Sequence, residues 1–294
     1  MSGWSEIQEA EEMNVGRFME YDSDAIDCLR KWLPFIQGNN VKALEIGAGS
    51  GYFTGKILEL NPQVKLTCVE PDPQLAASLR KKLGRRIEVL EMAVEESQFS
   101  GEFDVVICHI VLHNIHKPAS ALVKMKEAVK PRGWVAAIEP ARGGFTRYPS
   151  TEVQAAFDLL SQAHEYGWQK RKQLHGVPED FNPWTNCYSQ LFDEAGLRRI
   201  RCHGIASVVT LSDTGIRFAK RRNWIQMRLQ LLESQRPKKT SQLVAMGKSE
   251  QEVLKAYDVA IQYLRRLLAA TKEELAHVHE QETTYRTVTI GRRE

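Results

Sequence analysis

At 294 residues, with 43% hydrophobic and 26% charged residues and a formal net charge of +3, the chain is long enough to bury a full core. It is too evenly charged for an acidic tail or a strongly basic nucleic-acid binder. The first thirty residues lack the basic start and apolar middle of a signal peptide, and no apolar run approaches a membrane span, so the chain reads as cytoplasmic. Cys28, Cys68, Cys108, Cys187 and Cys202 stand far apart, in odd number and at no paired spacing, which suggests neither a zinc site nor a disulfide framework.

Residues 22–36 carry Ile26, Leu29, Leu33 and Ile36 at helical spacing, with Asp22 or Ser23 able to cap the start. Strands and helices then alternate: strand 41–46, helix 52–60, strand 65–69, helix 74–82, strand 87–91, strand 104–108, helix 119–129, the turn "KPRG" and strand 134–138. Such alternation predicts a parallel sheet covered by helices on both faces. After Pro140 the pattern breaks into "ARGGFTRYPS" and a helical stretch holding Phe157, Tyr166, Trp168, Phe181 and Trp184, which reads as an insertion. A helix over 188–195 leads through Gly196 to an extended segment, 198–210. Residues 212–280 read as mostly helical with a loop at "SQRPKKTSQ", around Pro237 to Ser241, and the threonine-rich, alternating "TTYRTVTIGR" reads as a strand.

The stretch "ALEIGAGSGYFTGKI", residues 43–57, carries the first chemical signal: an apolar strand ending in Glu45, then Gly47, Gly49 and Gly51, then an amphipathic helix. A dinucleotide fingerprint would place its third glycine at residue 52, which is Tyr52, and there is no lysine-serine phosphate loop. The turn therefore admits a ligand with an adenosine end but does not mark a diphosphate. Glu70 ends the next strand in "CVEPDP", nineteen positions after Gly51, where a carboxylate can accept both hydroxyls of a ribose. That feature alone fits NAD equally well.

"ALEIGAGSGYF" resembles the first motif of the class I, Rossmann-like S-adenosylmethionine-dependent methyltransferases. The likeness covers residues 41–140 closely and the remainder in outline, and is strongest to the small-molecule group that includes the ubiquinone and menaquinone methyltransferases. It implies S-adenosyl-L-methionine as cofactor and a seven-stranded, mostly parallel Rossmann-like α/β sheet with helical lid insertions, "TTYRTVTIGR" being the antiparallel strand inserted near the edge. It also implies cofactor contacts from Glu45, Gly47, Ala48, Gly49 and Gly51, with Glu45 close to the methionine ammonium. A sulfonium and an ammonium favour a nearby carboxylate, whereas a pyrophosphate is repelled by it. Glu70 and Pro71 fall at the ribose, and Met92, Ala93 and Val94 around the adenine. The family's usual Asp or Asn is not cleanly present there, and Glu91 or Glu95 stand as substitutes. Cys108, His109 and Ile110 fall beside the methyl group. No Asn-Pro-Pro-Tyr run is present, which disfavours methylation of an exocyclic base amine or a glutamine side chain.

The organisation expected is N-terminal helices and lid over 1–40, cofactor-binding core over 41–140, a helical insertion over 141–187, core helix and strand over 188–211, a helical lid over 212–280 and a C-terminal core strand over 281–294. The expected activity is methyl transfer to a small-molecule acceptor in a monomer or homodimer, without metal, with His109 as first and His113 as second candidate for a catalytic base. A histidine merely packed at a strand end is the plainer account of His109. Tyr21, Tyr148, Trp168 and Trp184 are expected to line an enclosed acceptor pocket, and the same aromatics would serve equally as the core of the insertion. The basic groups Arg198, Arg199, Arg201 and Arg217, Lys220, Arg221, Arg222 read as solvated faces, so a nucleic-acid partner is disfavoured. An RNA or protein methyltransferase, and a non-catalytic cofactor-binding protein, remain the alternatives.

Overall fold

A computed structural model describes residues 10–175, 182 and 186–294. Its central strands, β1 (Lys42–Ile46) and β4 (Phe103–His109), are buried along nearly their whole length, as strands covered on both faces must be. They pair in parallel with each other, β1 also with β2 (Lys65–Val69), β2 with β3 (Ile87–Leu90), and β4 with β5 (Val129–Pro140). The C-terminal strand β8 (Gln281–Arg292) runs antiparallel between β5 and β7 (Arg198–Thr210), as the resemblance implied. The sheet has eight strands among the described residues, not seven. The extra one, β6 (Phe145–Arg147), is three residues from the "ARGGFTRYPS" stretch that rejoin β8, too few to show alternation in sequence. The "KPRG" turn lies within β5 rather than ahead of it, with Arg132 in the left-handed region (φ 66°) and bonded through its N–H to the Arg293 carbonyl.

Alternation divides the sheet residues between two cores. Ala43, Val105, Ile107, Ala136, Ile138, Val288 and Ile290 face α2 (Ser23–Trp32) and α3 (Tyr52–Leu60). Leu44, Ile46, Val106, Cys108, Val135 and Ala137 face α5 (Pro118–Ala128) and α8 (Tyr188–Glu194). Asp22 caps α2 by accepting the Ala25 N–H at 2.8 Å, and Asp72 caps α4 (Pro73–Leu83) by accepting those of Gln74 and Leu75. The helix expected over 22–36 stops at Trp32, because Pro34 biases its predecessor away from the helical region. The chain continues as a 3₁₀ turn, Pro34–Gln37.

The remaining helices form a layer with its own core: α1 (Ala10–Arg17), α6 (Thr151–Ser161), α7 (Ala163–His175), α9 (Phe218–Ala245), α10 (Glu250–Ala269) and α11 (Lys272–Leu275). In α10 the buried positions Val253, Ala256, Tyr257, Ala260, Ile261, Leu264 and Leu267 recur at three and four residues, and the helix packs on α6 and α9. Each large apolar side chain so buried contributes about 1.5–3 kcal/mol. The layer is tied to the carboxyl ends of the strands through the N-terminal segment. Glu12 of α1 accepts from Lys239 (2.8 Å) and Gln235 (3.1 Å) of α9, while Asn14 accepts from Ser50 Oγ (2.9 Å) in the turn after β1.

Two expectations fail here. Arg221 is not on a solvated face: it is fully buried and donates to the Leu211 carbonyl. The loop expected at Pro237 is absent, since α9 runs through it. Proline removes one helical hydrogen bond, but its flanks are held from outside the helix, by Glu12 on Gln235 and Lys239, by Asp258 on Arg236 (2.9 Å) and by burial of Thr240 and Leu243. The chain turns instead at Gly247, in the left-handed region (φ 86°) just past the helix end. Pro237→Ala should therefore stabilise the protein by about 1–3 kcal/mol, read as a higher denaturation midpoint at unchanged slope. A loop at this position would give no gain.

Candidate active site

The glycine turn is fixed from two sides. Gly47 has φ 65°, and a Cβ on it would stand 2.5 Å from Cγ2 of Val111, so only glycine fits between the β1 and β4 ends. The N–H groups of Gly47 and Ala48 bond to the Val69 carbonyl of β2, at 2.8 and 3.2 Å. Glu70, the next residue, reaches into the same turn: Oε2 accepts the Gly49 N–H at 2.7 Å and Oε1 the Asp72 N–H at 3.0 Å. Burial raises its pKa, and these two N–H groups oppose the rise. Gly51 closes the turn as the residue before α3, and Pro71 is exposed beside Glu70. Glu45 is 1% exposed in mid-sheet, accepts from the Cys68 thiol (3.7 Å), and is pushed by burial up to about 8.

His109 ends β4. Its ring stacks on Phe53 of α3 (4.6 Å between centroids, 11° between planes), and its Nε2 lies 3.0 Å from the Tyr21 hydroxyl. Burial, reinforced by the positive charges of Arg17 and Arg286, holds its pKa well below the usual value, so the ring is neutral near pH 7. Tyr21 also stands 6.0 Å from Phe53 and 6.2 Å from Tyr52. Beside it Glu20 pairs with Arg286 of β8.

Cys108, one residue away in a strand, necessarily faces the other side of the sheet. Its thiol lies 3.7 Å from Glu139, in the core beneath α5, not with His109. Glu139, near the end of β5, was not singled out from sequence and organises the reaction end of the sheet. Fully buried, it accepts the N–H groups of Val111 (3.0 Å), Leu112 (2.9 Å) and His113 (3.1 Å), and burial pushes it up to about 7. The turn so held presents Val111 to Gly47 and places half-buried His113 in the 3₁₀ segment Leu112–Asn114. The signal was available in "AAIEP", an acid closing an apolar strand as Glu45 and Glu70 do.

Past β3, Val94 is buried and Met92 and Ala93 half-buried, with the Ala93 N–H accepted by Glu96 (3.1 Å). Neither substitute acid is drawn into this loop, since Glu91 pairs with Arg80 on the surface (3.1 Å) and Glu95 is exposed. The expected aromatic set does not come together as one wall. Tyr21 joins His109, whereas Tyr148 stacks on Phe157 (4.2 Å) and bonds Arg228 (3.2 Å) in the helical layer. Trp168 is carried on α7, and Trp184 lies outside the described residues, as does Phe181.

Residues 44–135, from β1 to β5, match the family of methyltransferase domains. Residues 44–135 thus form an S-adenosylmethionine-dependent methyltransferase domain. An uncharacterized methyltransferase of Schizosaccharomyces pombe is 27% identical over 161 residues, 51% of this chain and 55% of that protein. A thiol S-methyltransferase of Rattus norvegicus is 29% identical over 102 residues, 32% of this chain and 41% of that one. The aligned part thus spans about half the length of these curated relatives or less. A solved methyltransferase structure from an antibiotic biosynthesis pathway of Anabaena variabilis shares the fold at TM-score 0.55 and 15% identity, over 93% of this chain and 98% of its own. The methyltransferase domain's residues suit a cationic cofactor: Glu45 is a buried carboxylate whose charged form lacks a compensating cation, and Glu70 already leans into the glycine turn.

The raised carboxyls make stability depend on pH. Glu45 and Glu139 hold their protons more tightly folded, at about 8 and about 7, than at the ordinary 4.5. Their contribution is thus complete below about pH 4.5 and is lost as pH rises through those values. His109, lowered, acts in the opposite sense, losing stability as pH falls below 6.5. Denaturation of the ligand-free protein at pH 5 and pH 8 should show wild type losing on the order of 3 kcal/mol more than Glu139→Gln over that interval. Equal losses in both proteins would contradict the raised carboxyl.

Proposed function

We propose that this chain transfers a methyl group from S-adenosylmethionine to a small-molecule acceptor, with Tyr21 and His109 moving the acceptor's proton. The observation that carries the reading is the buried 3.0 Å contact between the Tyr21 hydroxyl and His109 Nε2 at the end of β4, beside Phe53. The cofactor residues on this reading are Glu45 at the ammonium, Gly47, Ala48, Gly49 and Gly51 along the turn, Glu70 and Pro71 at the ribose, and Met92, Ala93 and Val94 at the adenine. Bound there, the cofactor supplies an electrophilic methyl on a sulfonium.

The residues then have three tasks. The turn held by Glu139 and the glycine turn fix the approach, because in-line displacement gains most from alignment and exclusion of water. Tyr21 takes the proton of the acceptor's O–H, N–H or S–H as its own passes to neutral His109, in the tautomer that accepts at Nε2. The low basicity of His109 suits this task, since an acceptor atom gaining a methyl becomes strongly acidic. The thiol acceptor named for the Rattus relative, and the tie from α1 to α9 above Tyr21, support a small molecule over a folded macromolecule.

Glu45 is protonated at pH 7 in the free protein, and a cation placed against it favours the carboxylate. Cofactor binding at pH 7 should therefore release close to one proton, measured by calorimetry in phosphate and in Tris, and Glu45→Gln should release none. Heats independent of buffer in wild type would remove Glu45 from the site. Tyr21→Phe should lower kcat about 10²-fold or more while leaving cofactor affinity within about two-fold. An unchanged kcat would leave His109 a packed histidine.

A further inference from the structure

β5 and β6 both pair with β8, but not continuously. Between the pairs Pro140↔Arg286 and Phe145↔Thr283, the four residues 141–144 stand opposite only Thr284 and Tyr285, so this stretch bulges away from the sheet. Its course depends on two glycines. Gly143 has φ 108° with the Tyr285 ring 3.5 Å from where a Cβ would be, and a Cβ on Gly144 would come within 3.1 Å of the Thr283 carbonyl oxygen. The bulge opens a cleft of about 430 Å³ between residues 140–144 and 284–286, in the size range of small-molecule sites.

The walls of this cleft carry two arginines, Arg142 and Arg286, and no acid. Arg142 is exposed. Arg286 is 14% exposed at its side chain, donates Nη1 to the Tyr285 carbonyl at 3.0 Å, and pairs through Nη2 with Glu20. Its Nε is buried without a hydrogen-bond partner among the described residues. Arg17 adds a third positive charge behind it. Glu20 offsets one of these charges, and Glu282, four residues back on β8, has Arg228 as its strongest charged neighbour. A cleft whose wall carries two guanidinium groups and no acid suits the planar, two-oxygen geometry of an oxoanion. Arg286 also lies within electrostatic reach of Tyr21 and His109.

We propose that the methyl acceptor carries an anionic group, carboxylate or phosphate, seated in the cleft between residues 141–144 and β8 and held by Arg142 and Arg286. Calling the occupant an acceptor rests on the methyl-transfer reading above; the anion site itself does not. The test is calorimetric titration of the wild-type protein, with and without S-adenosylhomocysteine, using inorganic phosphate and succinate at constant ionic strength. One or both anions should bind in the millimolar range with a stoichiometry of one, and the tighter of the two identifies the group. Arg142→Gln should weaken binding about ten-fold or more, and Arg142→Lys should restore most of it. Arg286→Lys, which keeps the charge and loses the fork, should weaken it as well. Absence of binding by both anions, or equal binding by wild type and Arg142→Gln, overturns the site. Anion binding that is lost in Arg142→Gln while S-adenosylhomocysteine fails to bind keeps the site and removes the methyl-transfer reading.

Discussion

Glu139 accepts three consecutive backbone N–H groups from the turn after β4, and that turn presses Val111 onto Gly47 of the turn after β1. Loops at the carboxyl ends of parallel strands have no ladder to satisfy their N–H groups, so the sheet supplies buried carboxylates instead. Glu70 does for Gly49 and Asp72 what Glu139 does for residues 111–113. The cost is desolvation, visible in the raised carboxyls of Glu45, Glu70 and Glu139, and it falls where a cationic ligand would relieve it. Glu70 and Glu139 therefore shape the loops, and all three acids favour a cationic ligand.

The helical layer depends on this arrangement without sharing its core. Its apolar cluster, built on α6, α9 and α10, takes in Val209 of β7, and polar contacts of the N-terminal segment add further ties to the sheet region: Glu12 with α9, Asn14 with the glycine turn, Glu20 with Arg286, and Tyr21 with His109. Polar ties of this kind are individually worth little more than about 1 kcal/mol, against several large apolar burials inside each core.

Charge around His109 serves the proposed chemistry in a specific way. Burial, reinforced by Arg17 and Arg286, keeps the imidazole neutral, so it is available as an acceptor throughout the neutral range without prior loss of a proton. Those arginines also bias the neighbouring space toward anions, and the bulge at residues 141–144 leaves room for one. On the proposed reading Arg286 bears on both base readiness and acceptor preference.

What local pattern can encode was legible from the sequence. An apolar run, an acid, three glycines and an amphipathic stretch specify β1, its turn and α3, because each depends on neighbours a few residues away; the regular return of that unit specifies the parallel sheet. The position of β8 came from resemblance, and the pairing confirms it. Tertiary contacts decided the rest. Pro237 reads as a breaker, yet stays helical because Glu12, near the start of the chain, and Asp258 of the next helix hold its flanks. Arg221 reads as surface, yet it is fully buried and donates to the Leu211 carbonyl. Tyr21 and Tyr148 read as one aromatic set and divide between two cores, and Arg286 reads as an ordinary strand residue until Glu20 and the 141–144 bulge surround it. Spacing along the chain reports which face a residue takes; which partner that face meets is set by contacts between segments that the spacing does not relate.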